Sequence, residues 1–159
     1  MIEKLVEIIV QRMKLRATSK TSIAISKLPR DPVAIFMESG TVRLTQVNKH
    51  FLERILGGNR AESLTVWFEK AADYGVTIEL ELYDNGEPWL DYTMLSQLNY
   101  PVFTSNGERL FHASNQVVCY GDSAVIPSGS TLCKYKKQLI TPLANEYLTK
   151  NNIAVRERQ

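Results

Sequence analysis

The sequence predicts an α+β fold: a mostly antiparallel sheet built from hairpins, packed against N-terminal, central and C-terminal helices. Three observations predict it. In residues 76–83, Val76, Ile78, Leu80 and Leu82 alternate with Thr77, Glu79, Glu81 and Tyr83, so one side of a strand is apolar and the other polar. Asp84-Asn85-Gly86 follows, and Asn and Gly tolerate the positive φ of a tight turn. Stretches at the start, middle and end of the chain repeat apolar residues at helical spacing.

The strand over 76–83 and the segment to Tyr92 read as a central hairpin with two registers. A two-residue Asn85-Gly86 loop puts Leu80 opposite Asp91. A three-residue loop with Gly86 left-handed puts Leu80 opposite Leu90 and Ile78 opposite Tyr92, which keeps the apolar set on one face. The second register sets Glu79 against Asp91 and Glu81 against Trp89. Like charges directly opposite each other destabilise a sheet pair. Either a nearby Lys or Arg relieves a solvated acidic face, or the face binds a cation or a basic partner with Trp89 as its anchor. Glu79, Glu81, Trp89 and Asp91 are therefore the candidate binding residues.

The remaining elements follow in order. Residues 2–16 place Ile2, Leu5, Val6, Ile9, Val10 and Met13 on one helical stripe, with Glu3 and Glu7 early and Arg12, Lys14 and Arg16 late, as the helix dipole favours. Residues 22–26 alternate like a short strand. Residues 33–38 are nearly all apolar and read as a buried strand, which Ser39-Gly40 joins to a strand over 41–44 in a second hairpin. Thr45 caps a helix over 46–56, and Asn59 with Glu62 resembles a capping box for a third helix ending at Gly75. Residues 94–98 suit a helical turn and 101–103 an edge strand. Residues 109–113, 117–120 and 131–135 read as three more strands. Thr141-Pro142 starts a last helix. A single domain over 1–152 with a flexible tail over 153–159 results.

Charge is segregated: residues 1–60 carry +6, residues 61–100 carry −7 and residues 101–159 carry +3, for a net +2. Such a dipolar surface suits a protein partner or self-association more than a long polyanion. No apolar run spans a bilayer and no signal peptide is evident, so a cytoplasmic location is expected and no membrane partner. Cys119 and Cys133 are too few for a disulfide scaffold, and with His50 and His112 they fit no zinc spacing. No metal site or cofactor is indicated. Both thiols are expected reduced and buried, side by side across a ladder.

Reactive chemistry is sparse. His112, Cys119 and Asp122 form the best nucleophile, base and orienter set, provided that the fold brings them together. Consecutive helices joined by glycines suggest a helix-turn-helix, but Glu62, Glu69 and Asp73 on the second are the wrong charge for phosphates. Arg12, Lys14, Arg16 and Lys20 would make a phosphate or nucleic-acid patch if they merged with Lys134, Lys136 and Lys137.

Gly86-Glu87-Pro88-Trp89-Leu90 after an Ile-Glu-Leu strand, with Leu110-Phe111 further on, resembles the hairpin of chorismate pyruvate-lyases and related ligand-sensing domains. The resemblance implies architecture rather than lyase activity, because Ile78 stands where that family carries an arginine for the substrate carboxylate. The leading reading is a non-enzymatic binding or regulatory domain that makes protein contacts, a second copy in a homodimer among them. The alternatives are a small-molecule enzyme or ligand sensor with a pocket between sheet and helices, and a nucleic-acid binder using the basic ends.

Overall fold

The computed structural model describes residues 1–57, 62–85 and 88–159. Its order is α1 (Ile2–Thr18), β1 (Lys20–Ala24), α2 (Val33–Glu38), β2 (Thr41–Val47), α3 (Lys49–Leu56), α4 (Glu62–Asp73), β3 (Thr77–Leu82), α5 (Tyr92–Gln97), β4 (Val102–Phe103), β5 (Arg109–His112), β6 (Val117–Val118), α6 (Tyr120–Ala124), β7 (Thr131–Lys134), β8 (Leu139–Ile140), α7 (Pro142–Lys150) and β9 (Ala154–Glu157). Seven strands form one sheet in the order β1-β2-β3-β4-β5-β7-β9, and β6 and β8 form a two-stranded parallel pair.

The fold is α/β, not an antiparallel sheet of hairpins. Among the described residues only β4 and β5 pair antiparallel, across the turn at Ser105-Asn106-Gly107. β1, β2, β3 and β4 run parallel, as do β5, β7 and β9. The expected strand over Val33–Glu38 is helix α2, so it forms no hairpin with the strand over 41–44, and β1 reaches β2 by a crossover. Five apolar residues in a row, Val33 to Met37, suit a buried strand and a short helix equally, and periodicity cannot separate them. The expected 46–56 helix begins later: β2 runs on to Val47, and Asn48 caps α3 by accepting from Phe51 N–H at 2.9 Å. The proposed Asn59 cap and the Gly86 turn fall outside the described residues.

Among the described residues the central hairpin does not form. Leu80 pairs with Leu44 on one side and Val102 on the other, and β3 is an interior strand. Trp89 lies in a turn, and Asp91 caps α5 by accepting from Met94 N–H at 2.7 Å. The 153–159 segment, expected as a loose tail, supplies the edge strand β9. Arg158 then buries its side chain at 5% exposure.

The direction change at β4–β5 explains how the helices are distributed. A crossover of fixed hand places helices on one face of a sheet until the strand direction reverses, and on the other face afterwards. The packing obeys this. Val42, Leu44, Ile78, Leu80, Val102, Leu110 and Cys133 share a core with Phe51, Leu52, Leu64, Trp67, Phe68 and Leu95 of α3, α4 and α5. Leu132, next to Cys133 and so facing the opposite way, packs instead with Ile126, Leu148 and Ile153. Opposite the first core, the face of β2 and β3 is polar, bearing Arg43, Glu79 and Glu81.

Gly40 joins α1 to this body. Its N–H donates to Arg16 O at 2.7 Å, and a Cβ added there would lie 2.7 Å from the same oxygen and 3.1 Å from Ala17 Cα. Backbone cannot yield as a side-chain tip can. Gly40→Ala is expected to cost about 1–3 kcal/mol, read as a lowered denaturant midpoint with an unchanged slope.

Candidate interaction site

Helix α1 has no buried residue. Its stripe stands in solvent: Ile2 is 78% exposed, Leu5 58%, Val6 51%, Ile9 49%, Val10 41% and Met13 66%. The predicted helix forms, but no described residue of the chain covers its apolar side. Among the described residues only its last turn is tied down. Arg16 Nε donates to Phe36 O at 2.7 Å and Nη2 to Tyr74 O at 2.5 Å. The stripe runs into a groove of about 950 Å³ between α1 and the body, where Met13, Met37 and Tyr74 sit. An isolated helix of this length is marginal in water, so an uncovered apolar stripe on one points to an external partner.

The four residues chosen from sequence do not form one face. Glu79 meets Lys20 Nζ at 2.5 Å and Arg43 Nε at 2.8 Å, and Glu81 meets Arg43 Nη1 at 3.3 Å. The Arg43 guanidinium also stacks 3.9 Å above Phe103. Burial alone would raise the Glu79 pKa, but the hydrogen bonds and charges of Lys20 and Arg43 outweigh it and hold the carboxyl below its usual range. Parallel pairing of β2 with β3 thus supplies the counter-charge that a Glu79–Asp91 hairpin lacked. Trp89 is half-buried and donates its Nε1 proton to Asp84 Oδ2 at 3.2 Å.

The nucleophile set is not assembled. His112 sits in register with Cys133, not Cys119. Cys119 is exposed and Cys133 buried, so the expected side-by-side thiols do not occur. Cys119 instead caps α6, and its N–H donates to Asp122 Oδ2 at 2.8 Å. The basic segments do not merge either. β1 and β7 are five positions apart in the sheet, about 24 Å at the usual strand spacing. Lys20 is paired with Glu79 and Lys134 with Glu157.

His112 is buried enough to be held below the ordinary imidazole pKa of 6.5, desolvation being the cause. A depressed histidine favours the neutral form in the fold, so the unfolded chain binds the proton first as pH falls. Stability is expected to drop as pH falls below about 6.5, and thermal scans from pH 7.5 to 5.5 should show a smaller drop in His112→Asn.

Among the described residues no helix is long and apolar enough to cross a membrane. A family description reading "Putative propanediol utilisation", PDU-like, matches residues 4–154. The chain belongs to this family. Two curated relatives of the PDU-like chain are both named bacterial microcompartment assembly protein PduM. That of Salmonella typhimurium strain LT2 is 22% identical over 153 residues, covering 96% of this chain and 93% of its own. That of Citrobacter freundii is 22% identical over 154 residues, covering 96% and 94%. No solved structure matches. The family that matches is described otherwise than the chorismate pyruvate-lyases, and among the described residues no strand covers 88–92, part of the stretch that carried that resemblance.

Proposed function

We propose that this PDU-like chain is a bacterial microcompartment assembly protein that works by protein–protein contact, with the α1 stripe as its contact surface. The end-to-end likeness to two proteins named for that role supports the process. The observation that carries the mechanism is a 17-residue helix with six stripe residues in solvent and no buried residue.

The stripe suits a second copy of itself. Positions 2, 5, 6, 9, 10 and 13 read the same in both directions about the midpoint of 7 and 8. In an antiparallel pair Ile2 meets the partner's Met13, Leu5 the partner's Val10 and Val6 the partner's Ile9. Glu3 and Lys14 lie on the same flank at helical spacing, and a two-fold axis brings each beside the other in the opposing helix. The helix dipoles also oppose. Met1 and Ile2 of the second copy would then reach the groove beside Met13 and Met37. Sedimentation equilibrium of the full chain is expected to give twice the 18.1 kDa protomer mass. A chain that stays monomeric at its solubility limit would contradict self-pairing. Normal compartment formation in cells carrying only a Val6→Glu, Ile9→Glu chain would contradict α1 as the assembly contact.

A further inference from the structure

A second feature is independent of α1. A cleft of about 800 Å³ opens at the carboxyl ends of β1, β2 and β3. Ligands of parallel α/β sheets sit at that end of the strands, and sites of this volume hold small organic molecules.

Three properties of the cleft select a ligand. Arg30, His50 and Arg54 line it, and no carboxylate is among its described lining residues. Its apolar wall includes Phe51, Leu64 and Trp67, which belong to the core. Trp67 is only 3% exposed, and among the described residues its Nε1 has no acceptor. A buried donor without a partner is rare and calls for an explanation, such as a bound oxygen.

The backbone at the rim is also unusual. Gln46 lines the cleft with φ 59°, a left-handed conformation that is costly for a residue with a Cβ. The β2–β3 register shifts between Leu44 and Val47, so Gln46 sits in a bulge. Bulges re-aim side chains next to binding sites. Asn48 is not a free ligand group, because its side chain already caps α3.

We infer that this cleft binds a small organic anion, a carboxylate or phosphate ester carrying an apolar or aromatic group. The head group meets Arg30, His50 and Arg54, and the body lies on Phe51, Leu64 and Trp67. Neither group alone accounts for the cleft: a bare anion leaves the apolar wall wet, and a neutral apolar molecule leaves three basic groups unanswered.

The test is a titration of the full chain followed by the Trp67 indole N–H resonance, assigned with Trp67→Phe. Phenyl phosphate and benzoate are the probes, with inorganic phosphate and benzyl alcohol beside them. At least one of the two aromatic anions is expected to shift the resonance saturably, and the tighter one identifies the head group. Inorganic phosphate and benzyl alcohol should each bind at least about tenfold more weakly. Arg30→Gln with Arg54→Gln should weaken the anion by about tenfold or more at unchanged melting temperature. The inference is overturned by no saturable shift with either aromatic anion, by benzyl alcohol binding as tightly, or by an unchanged affinity in the double variant. Because α1 takes no part in the cleft, a monomeric Val6→Glu chain should bind the probe as the native chain does.

Discussion

Val6→Glu or Ile9→Glu is expected to weaken association by about 100-fold or more while leaving the fold's stability nearly unchanged. The two effects separate because the side chains face water in the single chain, Val6 at 51% and Ile9 at 49% exposure. In the monomer each change swaps one exposed group for another, which normally moves stability by no more than about 0.5 kcal/mol. In an antiparallel pair Val6 and Ile9 lie on either side of the two-fold axis, so each substitution buries two carboxylates with no counter-charge. Unpaired charges buried at an interface cost several kcal/mol, and about 2.8 kcal/mol is 100-fold. Sedimentation velocity at several concentrations, with a thermal scan of the same sample, checks both parts. The same substitutions in a core strand would unfold the chain instead.

The second large effect lies at the other end of the chain. Arg158→Ala is expected to lower stability by about 3 kcal/mol, and the melting temperature by about 10 °C for a domain of this size. Arg158 is 5% exposed. Its Nη1 donates to Leu90 O at 3.0 Å, its Nη2 to Asn85 O at 3.1 Å and its Nε to Cys133 Sγ at 3.3 Å. It thereby ties β7, β9 and the segment before α5 together, and Tyr92 N–H donates to Gln159 O at 2.9 Å beside it. Removing the guanidinium leaves buried acceptors without donors, which costs more than a lost surface contact. Burial raises the Cys133 thiol pKa, against the lowering pull of Arg158, so Cys133 is a neutral acceptor there. Arg158→Lys should fall between, since one ammonium cannot reach acceptors spread as a guanidinium reaches them. Loss measured by chemical denaturation checks the ordering.

How much of this was legible in the sequence depends on how local the signal was. Helices α1 and α7 were readable because their signals lie within a few residues of each other: apolar spacing and end charges in α1, and a cap with apolar spacing in α7. Thr141 accepts from Ala144 N–H, as Thr-Pro at a helix start suggests. The strand character of β3 was readable for the same reason. Its partners were not, because Leu44 and Val102 lie far away in the chain. The alternation of Ile78, Leu80 and Leu82 with Glu79 and Glu81 suggested an antiparallel sheet, since such a pattern marks one buried face. Here a parallel sheet leaves one face polar over β2 and β3, and the usual reading of the pattern fails.

The interaction site was half legible. The stripe of α1 was plain, but periodicity says which residues share a face, not whether the same chain covers that face. The acidic set was chosen because Glu79 and Glu81 had no visible counter-charge. Arg43 supplies it from a strand 36 positions earlier. The Arg30, His50 and Arg54 cleft was not legible, since His50 and Arg54 sit one turn apart on α3 but Arg30 comes from the loop after β1. The buried Arg158 was hidden among the charges Arg156 and Glu157, and only the apolar Ile153-Ala154-Val155 before them marked a strand.

The distance between two copies of α1 tests the central claim most directly. Spin labels would be placed at Thr18, which is exposed, in a Cys119→Ser background that removes the exposed native thiol. An antiparallel pair centred between residues 7 and 8 puts the two labels about 30 Å apart along the helix axes. Double electron–electron resonance is expected to show a narrow distribution near that distance, lost on Val6→Glu. A distribution below about 20 Å, or no dipolar coupling at a concentration where the chain is a dimer, would mean that the helices do not pair in this way.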